Sequence, residues 1–186
     1  MNIATLKAAI PDYAKDLRLN LDSVLSEAGA PGLTLKQIHA VALAAAIAAR
    51  HKPLTAAVDE LAIGSLDANE RNAVRSAAAI MGMTNVYYRA THLIANQEYV
   101  NMRTSLRMNA LANPPLEKAA FELAALAVSA INGCGACLDA HEKVLRQHGV
   151  NAQGVQSALR IAAVLHAVAV TLEQADAQAP AAAAAA

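Results

Sequence analysis

The chain has 186 residues, with 15 Lys plus Arg against 15 Asp plus Glu and a formal net charge of zero. The basic residues are scattered and form no stripe, so the charge pattern gives no argument for a nucleic-acid partner. Hydrophobic residues make up 56% but aromatic residues only 3%, with no Trp; the core must use Ala, Leu, Val and Ile, small side chains that let helices approach closely, and an all-α fold is expected over a sheet.

Apolar residues recur at helical spacing almost throughout. Ile3, Leu6 and Ile10 begin one stripe, and Tyr13, Leu17, Leu21 and Val24 begin another after Pro11. The segment "AGAPG" at 28–32 reads as a loop. Thr34 and Gln37 have capping-box spacing and open a helix to about Arg50. Pro53 suits the first turn of a helix ending near Gly64. Asp67 and Glu70 form a second box, opening a helix into "AAAIMGM", and a separate helix is expected over roughly 85–96. The polar stretch "NQEYVNM" precedes a short helix near 103–111, and "NPP" at 113–115 is a stop and a start. Helices then follow at about 116–131, 134–148 and 152–174, with breaks at Asn132-Gly133 and Gly149. Residues 1–174 are read as one all-helical domain and 175–186 as a mobile Ala-rich tail.

No uninterrupted apolar run reaches 18 residues, and the N-terminus lacks the layout of a signal peptide. A cytoplasmic protein with no membrane partner is expected. Thiols in that compartment are kept reduced, so a close cysteine pair there is more often catalytic or metal-binding than structural. A faint internal echo aligns "AAIMGMTNVYYRA" (78–90) with "SAINGCGACLDAH" (129–141), which hints at a duplicated helical unit with thiols only in the second copy.

Both cysteines of the chain, Cys134 and Cys137, lie with His141 inside eight residues. The break at Asn132-Gly133 puts Cys134 at a helix start, where unpartnered N–H groups favour a nearby thiolate by about 0.3–1 kcal/mol. Cys137 is one turn on, at a spacing that allows an intrahelical disulfide. His141 shares its face at i+4 and can exchange a thiol proton near neutral pH. Glu122 interrupts the apolar run "AAFELAALAVSAI"; if two antiparallel helices flank the break, it faces the helix bearing His141 and can join a proton relay. Other readings exist. Zinc on the cysteines, His141 and Glu122 lacks the second, separated ligand pair of structural sites. The cysteines can be inert core residues, and Glu122 a solvated one. His39, His51, His92, His148 and His166 show no partner pattern.

The stretches "AINGCGACLDAHE", "LRMNALANPP", "FELAALAVSA", "AAAIMGMTNVYYR" and "LKAAIPDYAKDLRLNL" together resemble the alkyl hydroperoxide reductase D (AhpD) family of the carboxymuconolactone-decarboxylase-like superfamily, over about residues 1–174. The resemblance implies a compact helical fold with internal duplication and trimeric assembly. It implies a thiol-disulfide oxidoreductase with alkyl hydroperoxidase activity that recycles a peroxiredoxin (AhpC). Electrons would come from dihydrolipoyl groups on a lipoyl-bearing acyltransferase, and no cofactor would be tightly bound. By position, Cys134 and Cys137 correspond to the redox pair, and Glu122 and His141 to proton-relay residues. The family pattern carries His where this chain has Ala136. A non-redox decarboxylase of the same superfamily is the rival reading, and it needs no thiol pair. Between the thiols, the helix end favours Cys134 and the adjacent base favours Cys137. The expectation adopted is that Cys137 attacks, while Cys134, nearer the helix tip and solvent, closes the disulfide and meets the peroxiredoxin.

Overall fold

The computed structural model describes residues 2–178, and within them every regular element is helical. The elements are α1 (Ile3–Ala8), α2 (Asp16–Val24), α3 (Leu35–Ala48), α4 (Lys52–Ala62), α5 (Ala68–Leu93), the single turn α6 (Glu98–Asn101), α7 (Lys118–Ile131), α8 (Gly135–Gln147) and α9 (Ala152–Gln178). Short 3-10 turns at Asp12–Ala14 and Asn109–Leu111 complete the path.

Both expected capping boxes form. Thr34 accepts from the Gln37 N–H while Gln37 Oε1 accepts from the Thr34 N–H at 3.0 Å. Asp67 and Glu70 exchange the same pair of bonds. Each box satisfies two donors that a helix start leaves without partners.

The centre of the molecule is the packed pair α3 and α7. Ala40 to Ala46 on α3 are all fully buried, and so is nearly all of Ala119–Ser129 on α7. Helices buried on every side belong in a core, and alanine lets their backbones close up. Leu43, Leu123, Leu126 and Phe121 fill the remaining space with no exposure above 1%; each such side chain contributes about 1.5–3 kcal/mol by leaving water. Helices α5 and α9 pack on this pair, and α2 lies on α9. By length and composition α9 is apolar enough to cross a membrane, but half of its apolar window is buried. Ile161, Leu165, Val168 and Leu172 turn that apolar stripe inward.

Several sequence expectations need correction. The helices expected at 68–83 and 85–96 are one 26-residue helix, α5. Gly82 sits on its open side, where an added Cβ would meet nothing, and the buried stripe Val74, Ala77, Met81, Thr84 holds the helix through that point. Tertiary packing here overrides weak local propensity. The short helix near 103–111 is absent; irregular chain, with Ser105 at φ 52°, leads instead to the 3-10 turn Asn109–Leu111. The tail boundary also moves: α9 runs to Gln178, and residues 179–186 of the expected mobile tail lie outside the described residues.

The 78–90 and 129–141 segments are not structural equivalents. The first is the middle of α5, whereas the second is a helix–turn–helix. A repeat does appear in another register. Helices α3, α4 and α5 have 14, 11 and 26 residues, and α7, α8 and α9 have 14, 13 and 27. Arg50, at φ 63°, closes the α3–α4 junction as Gly133, at φ 66°, closes α7–α8. His51 and Cys134 are then the matching N-caps.

Candidate active site

The turn carrying the cysteines is set by Gly133. Its N–H donates to the Ala130 carbonyl at 3.1 Å, and the Cys134 N–H donates to the Ser129 carbonyl at 3.0 Å. This pair of bonds around a left-handed residue is a Schellman C-cap, which ends α7 sharply and turns the chain straight into α8. Cys134 is therefore the N-cap of α8, one position before the first turn, and Cys137 is its third residue. At the equivalent junction the His51 ring Nδ1 accepts the Leu54 N–H at 3.2 Å. At α8 no side chain makes that bond, and the N-cap sulfur is instead joined to Cys137 in a disulfide with a Cα–Cα separation of 5.3 Å.

The two sulfur positions differ in access, and not as expected. Cys134 is 0% exposed, whereas Cys137 is 6% exposed and lines a cavity of about 400 Å³. The expectation that Cys134 is nearer solvent is thus wrong. Gly133 and Gly135, on either side of Cys134 at the helix tip, are exposed, and only the Cys134 side chain between them is covered. Cys137, one turn on, looks outward. Ala136, Ala140, Tyr88 and Leu111 make much of the cavity wall apolar, and His141 shares it. A methyl group stands at Ala136, so that position supplies no titrating ring.

Helices α7 and α8 do form the anticipated hairpin, and it brings Glu122 to His141. The His141 Nδ1 lies 2.7 Å from Glu122 Oε2, with both side chains mostly buried. Lys118, one turn earlier on α7, holds the other oxygen at 2.7 Å. Burial pushes the Glu122 carboxyl pKa up, but hydrogen bonds from His141 and Lys118, and their charges, outweigh it; the carboxyl is held below its ordinary 4.5. Glu122 is thus a carboxylate at neutral pH, and it fixes the ring with Nδ1 as the protonated nitrogen.

The sequence reading missed two further groups. Lys118 was legible as the i−4 neighbour of Glu122. Met81 was not, because it comes from α5, 60 residues away from His141. Its Sδ lies 3.2 Å from His141 Nε2. Behind it, Asn85 Nδ2 donates to Ser129 Oγ at 2.9 Å, and Asn132 Nδ2 donates to Asn85 Oδ1 at 3.0 Å. Arg89 completes the row by donating to the Asn132 carbonyl. This row of polar side chains ties α5 to the turn just before Gly133, so His141 and the cysteine turn rest on one support.

Among the described residues no group of three or more His, Cys, Asp and Glu side chains is placed to hold a metal ion. His39 is buried 2.6 Å from Ser65 Oγ, away from the cavity, and burial lowers its pKa.

A sequence profile described as the carboxymuconolactone decarboxylase family matches residues 97–185. "Alkyl hydroperoxide reductase AhpD" of Bradyrhizobium sp. (strain BTAi1) is 50% identical over 183 residues, 98% of this chain and 99% of that protein. The protein of that name from Frankia alni is 50% identical over 93% of this chain and 92% of its own length. The one from Hyphomonas neptunium is 51% identical over 91% and 92%. With half its residues shared along nearly the full length of these relatives, and with a closed CxxC pair at its second helical hairpin, the chain belongs to the alkyl hydroperoxide reductase AhpD family.

Proposed function

We propose that the protein is a thiol-disulfide oxidoreductase that reduces alkyl hydroperoxides and recycles a peroxiredoxin of the AhpC type through the Cys134–Cys137 pair. One observation carries this reading. A cysteine able to close a disulfide lines an apolar cavity together with a histidine whose other nitrogen is bonded to a buried carboxylate. The names of the relatives point to the same activity.

In the open form Cys137 is the attacking thiol, because it is the sulfur at the cavity wall. His141, four residues on, takes its proton, and Glu122 steadies the imidazolium. The thiolate attacks the distal oxygen of R–O–O–H. The S–O bond forms, the O–O bond breaks, and the departing alkoxide takes the proton from His141 to leave as R–OH. Cys137 is then a sulfenic acid. Cys134 resolves it: its thiolate sits at the N-cap of α8, where N–H groups without partners stabilise it by about 0.3–1 kcal/mol. The new S–S bond expels hydroxide, which is protonated to water. A dihydrolipoyl dithiol on an acyltransferase arm reopens the disulfide by attacking Cys137, the sulfur in reach. Cys134 leaves, and the second lipoyl thiol releases Cys137. No tightly bound cofactor is required. A peroxiredoxin disulfide is reduced by the same sulfur. Assembly as a homotrimer and residence in a reducing compartment such as the cytoplasm complete the proposal.

The experiment is turnover of tert-butyl hydroperoxide with dihydrolipoamide as the electron donor, in wild type and in Cys134→Ser/Cys137→Ser. Loss of turnover in the double variant supports the reading. The family profile is named for a decarboxylase, and decarboxylation of a carboxymuconolactone that survives loss of both cysteines would move the assignment there.

A further inference from the structure

The sulfur of Met81 has surroundings that a core methionine does not need. Met81 is 3% exposed, yet its side chain lines the cavity beside Cys137. Four polar side chains converge on Sδ: His141 Nε2 at 3.2 Å, Thr84 Oγ1 at 3.7 Å, Ser129 Oγ at 3.8 Å and Asn85 Nδ2 at 3.9 Å. Thr84 spends its proton on the Ile80 carbonyl at 3.0 Å. The Ser129 hydroxyl accepts from Asn85, so the remaining direction for its own proton is the sulfur. With Nδ1 committed to Glu122, His141 presents an N–H to Met81 only as the imidazolium. Buried donors are thus aimed at a thioether, one of the weakest acceptors among side chains. An oxygen on that sulfur would satisfy them far better.

We propose that Met81 is a reversible oxidation site for alkyl hydroperoxides, which shuts the relay when reductant runs short. With the disulfide closed, a peroxide entering the cavity meets no thiol, and the Met81 thioether is the oxidisable group at the histidine. The sulfur lone pair attacks the distal oxygen of R–O–O–H; an S–O bond forms and the O–O bond breaks. The proton on the transferred oxygen passes to the alkoxide by way of His141. The products are the sulfoxide and R–OH, with sulfur oxidised by two electrons and no net proton consumed. The sulfoxide oxygen, a strong acceptor, then favours a ring that has taken a proton from solvent at Nε2, and a ring so protonated cannot accept one from Cys137. Methionine sulfoxide reductases, drawing on a thiol donor, reverse the change.

The inference rests on the reading that peroxides enter this cavity, and its test is separable from that reading. The disulfide form of the full chain is exposed to graded tert-butyl hydroperoxide, and oxygen gain is followed by peptide mass at Met81, Met83, Met102 and Met108. Exposure alone ranks Met102 (55%) and Met83 (36%) ahead of Met81 (3%); Met108 shares the cavity without the converging donors. The expected result is the reverse order, with Met81 oxidised first. Peroxide turnover should fall in step with Met81 sulfoxide and return after treatment with both epimer-specific reductases. Met81→Leu, judged against its own starting rate, should keep most of its turnover after the same exposure. Oxidation in order of exposure, or Met108 ahead of Met81, overturns the proposal, as does equal loss of rate in Met81→Leu. Met81 oxidation in a protein without cysteine-dependent turnover upholds the modification and overturns only the peroxidase reading.

Discussion

The Nδ1 atom of His141 lies 2.7 Å from Glu122 Oε2, across the hairpin of α7 and α8. Because α7 is buried on nearly all sides, this carboxylate is held by a core helix and its geometry is fixed by packing. Lys118 balances its charge from the solvent side. The pair sets both the direction of the ring and the protonation state of the acid.

Replacement of Glu122 by Gln keeps the shape but removes the charge that steadies the imidazolium. Peroxide turnover is expected to fall about a hundredfold, the scale of a lost general acid–base partner. Steady-state rates with dihydrolipoamide and tert-butyl hydroperoxide measure it, and a change below about threefold would return Glu122 to a structural role.

The same carboxyl makes a pH prediction. Its pKa is lower in the folded chain than its ordinary 4.5. Below 4.5 the unfolded chain takes up the proton first, so stability is lost as acid is added. The contribution is full above 4.5 and gone once pH passes below the folded value. Urea denaturation of wild type and Glu122→Gln should therefore show a stability difference at pH 7 that shrinks as pH falls below 4.5.

His39 acts in a higher window with the same sign. It is buried against Ser65, and burial lowers its pKa from 6.5. The unfolded chain binds that proton first as pH falls through 6.5, and the folded state loses stability toward pH 5. In His39→Gln the slope of unfolding free energy between pH 7 and 5 should be smaller than in wild type.

The two helix junctions give a paired test of backbone strain. Gly133 and Arg50 both have left-handed φ, and a Cβ at Gly133 would meet nothing. Gly133→Ala should destabilise by about 1–2 kcal/mol through conformation alone, and Arg50→Gly should relieve strain of about the same size, less the entropy that glycine adds to the unfolded chain. Thermal and chemical denaturation check both.

Accessibility separates the two thiols. With Cys134 at 0% exposure and Cys137 at the cavity wall, Cys137 in Cys134→Ser should react with iodoacetamide on the order of tenfold faster than Cys134 in Cys137→Ser. Equal rates would contradict the assignment of Cys137 as the attacker.

Much of this was legible in the sequence, and the failures have physical causes. Capping boxes at Thr34 and Asp67 involve residues three apart, so local chemistry reveals them. The meeting of Glu122 and His141 follows from two helices and a tight break. Access to Cys134 and Cys137 depends on which side chains of other helices cover each sulfur, which spacing does not encode. Met81 reaches His141 from another helix, through packing that no local pattern reports. The misplaced echo has a similar origin. In an Ala-rich chain short identities arise between unlike segments, while the repeat seen in helix lengths pairs Arg50-His51 with Gly133-Cys134, which share no residue type.

The most direct test of the account is a single turnover. The reduced chain is mixed with one equivalent of tert-butyl hydroperoxide, and free thiols, intact mass and tert-butanol are read together. The account predicts that both thiols disappear into the Cys134–Cys137 disulfide as one equivalent of alcohol forms, that dihydrolipoamide restores both, and that Cys137→Ser forms no disulfide and yields alcohol only as slowly as Met81 sulfoxide appears. Alcohol formed by Cys137→Ser at the wild-type rate, or thiols left intact while peroxide is consumed, would contradict it.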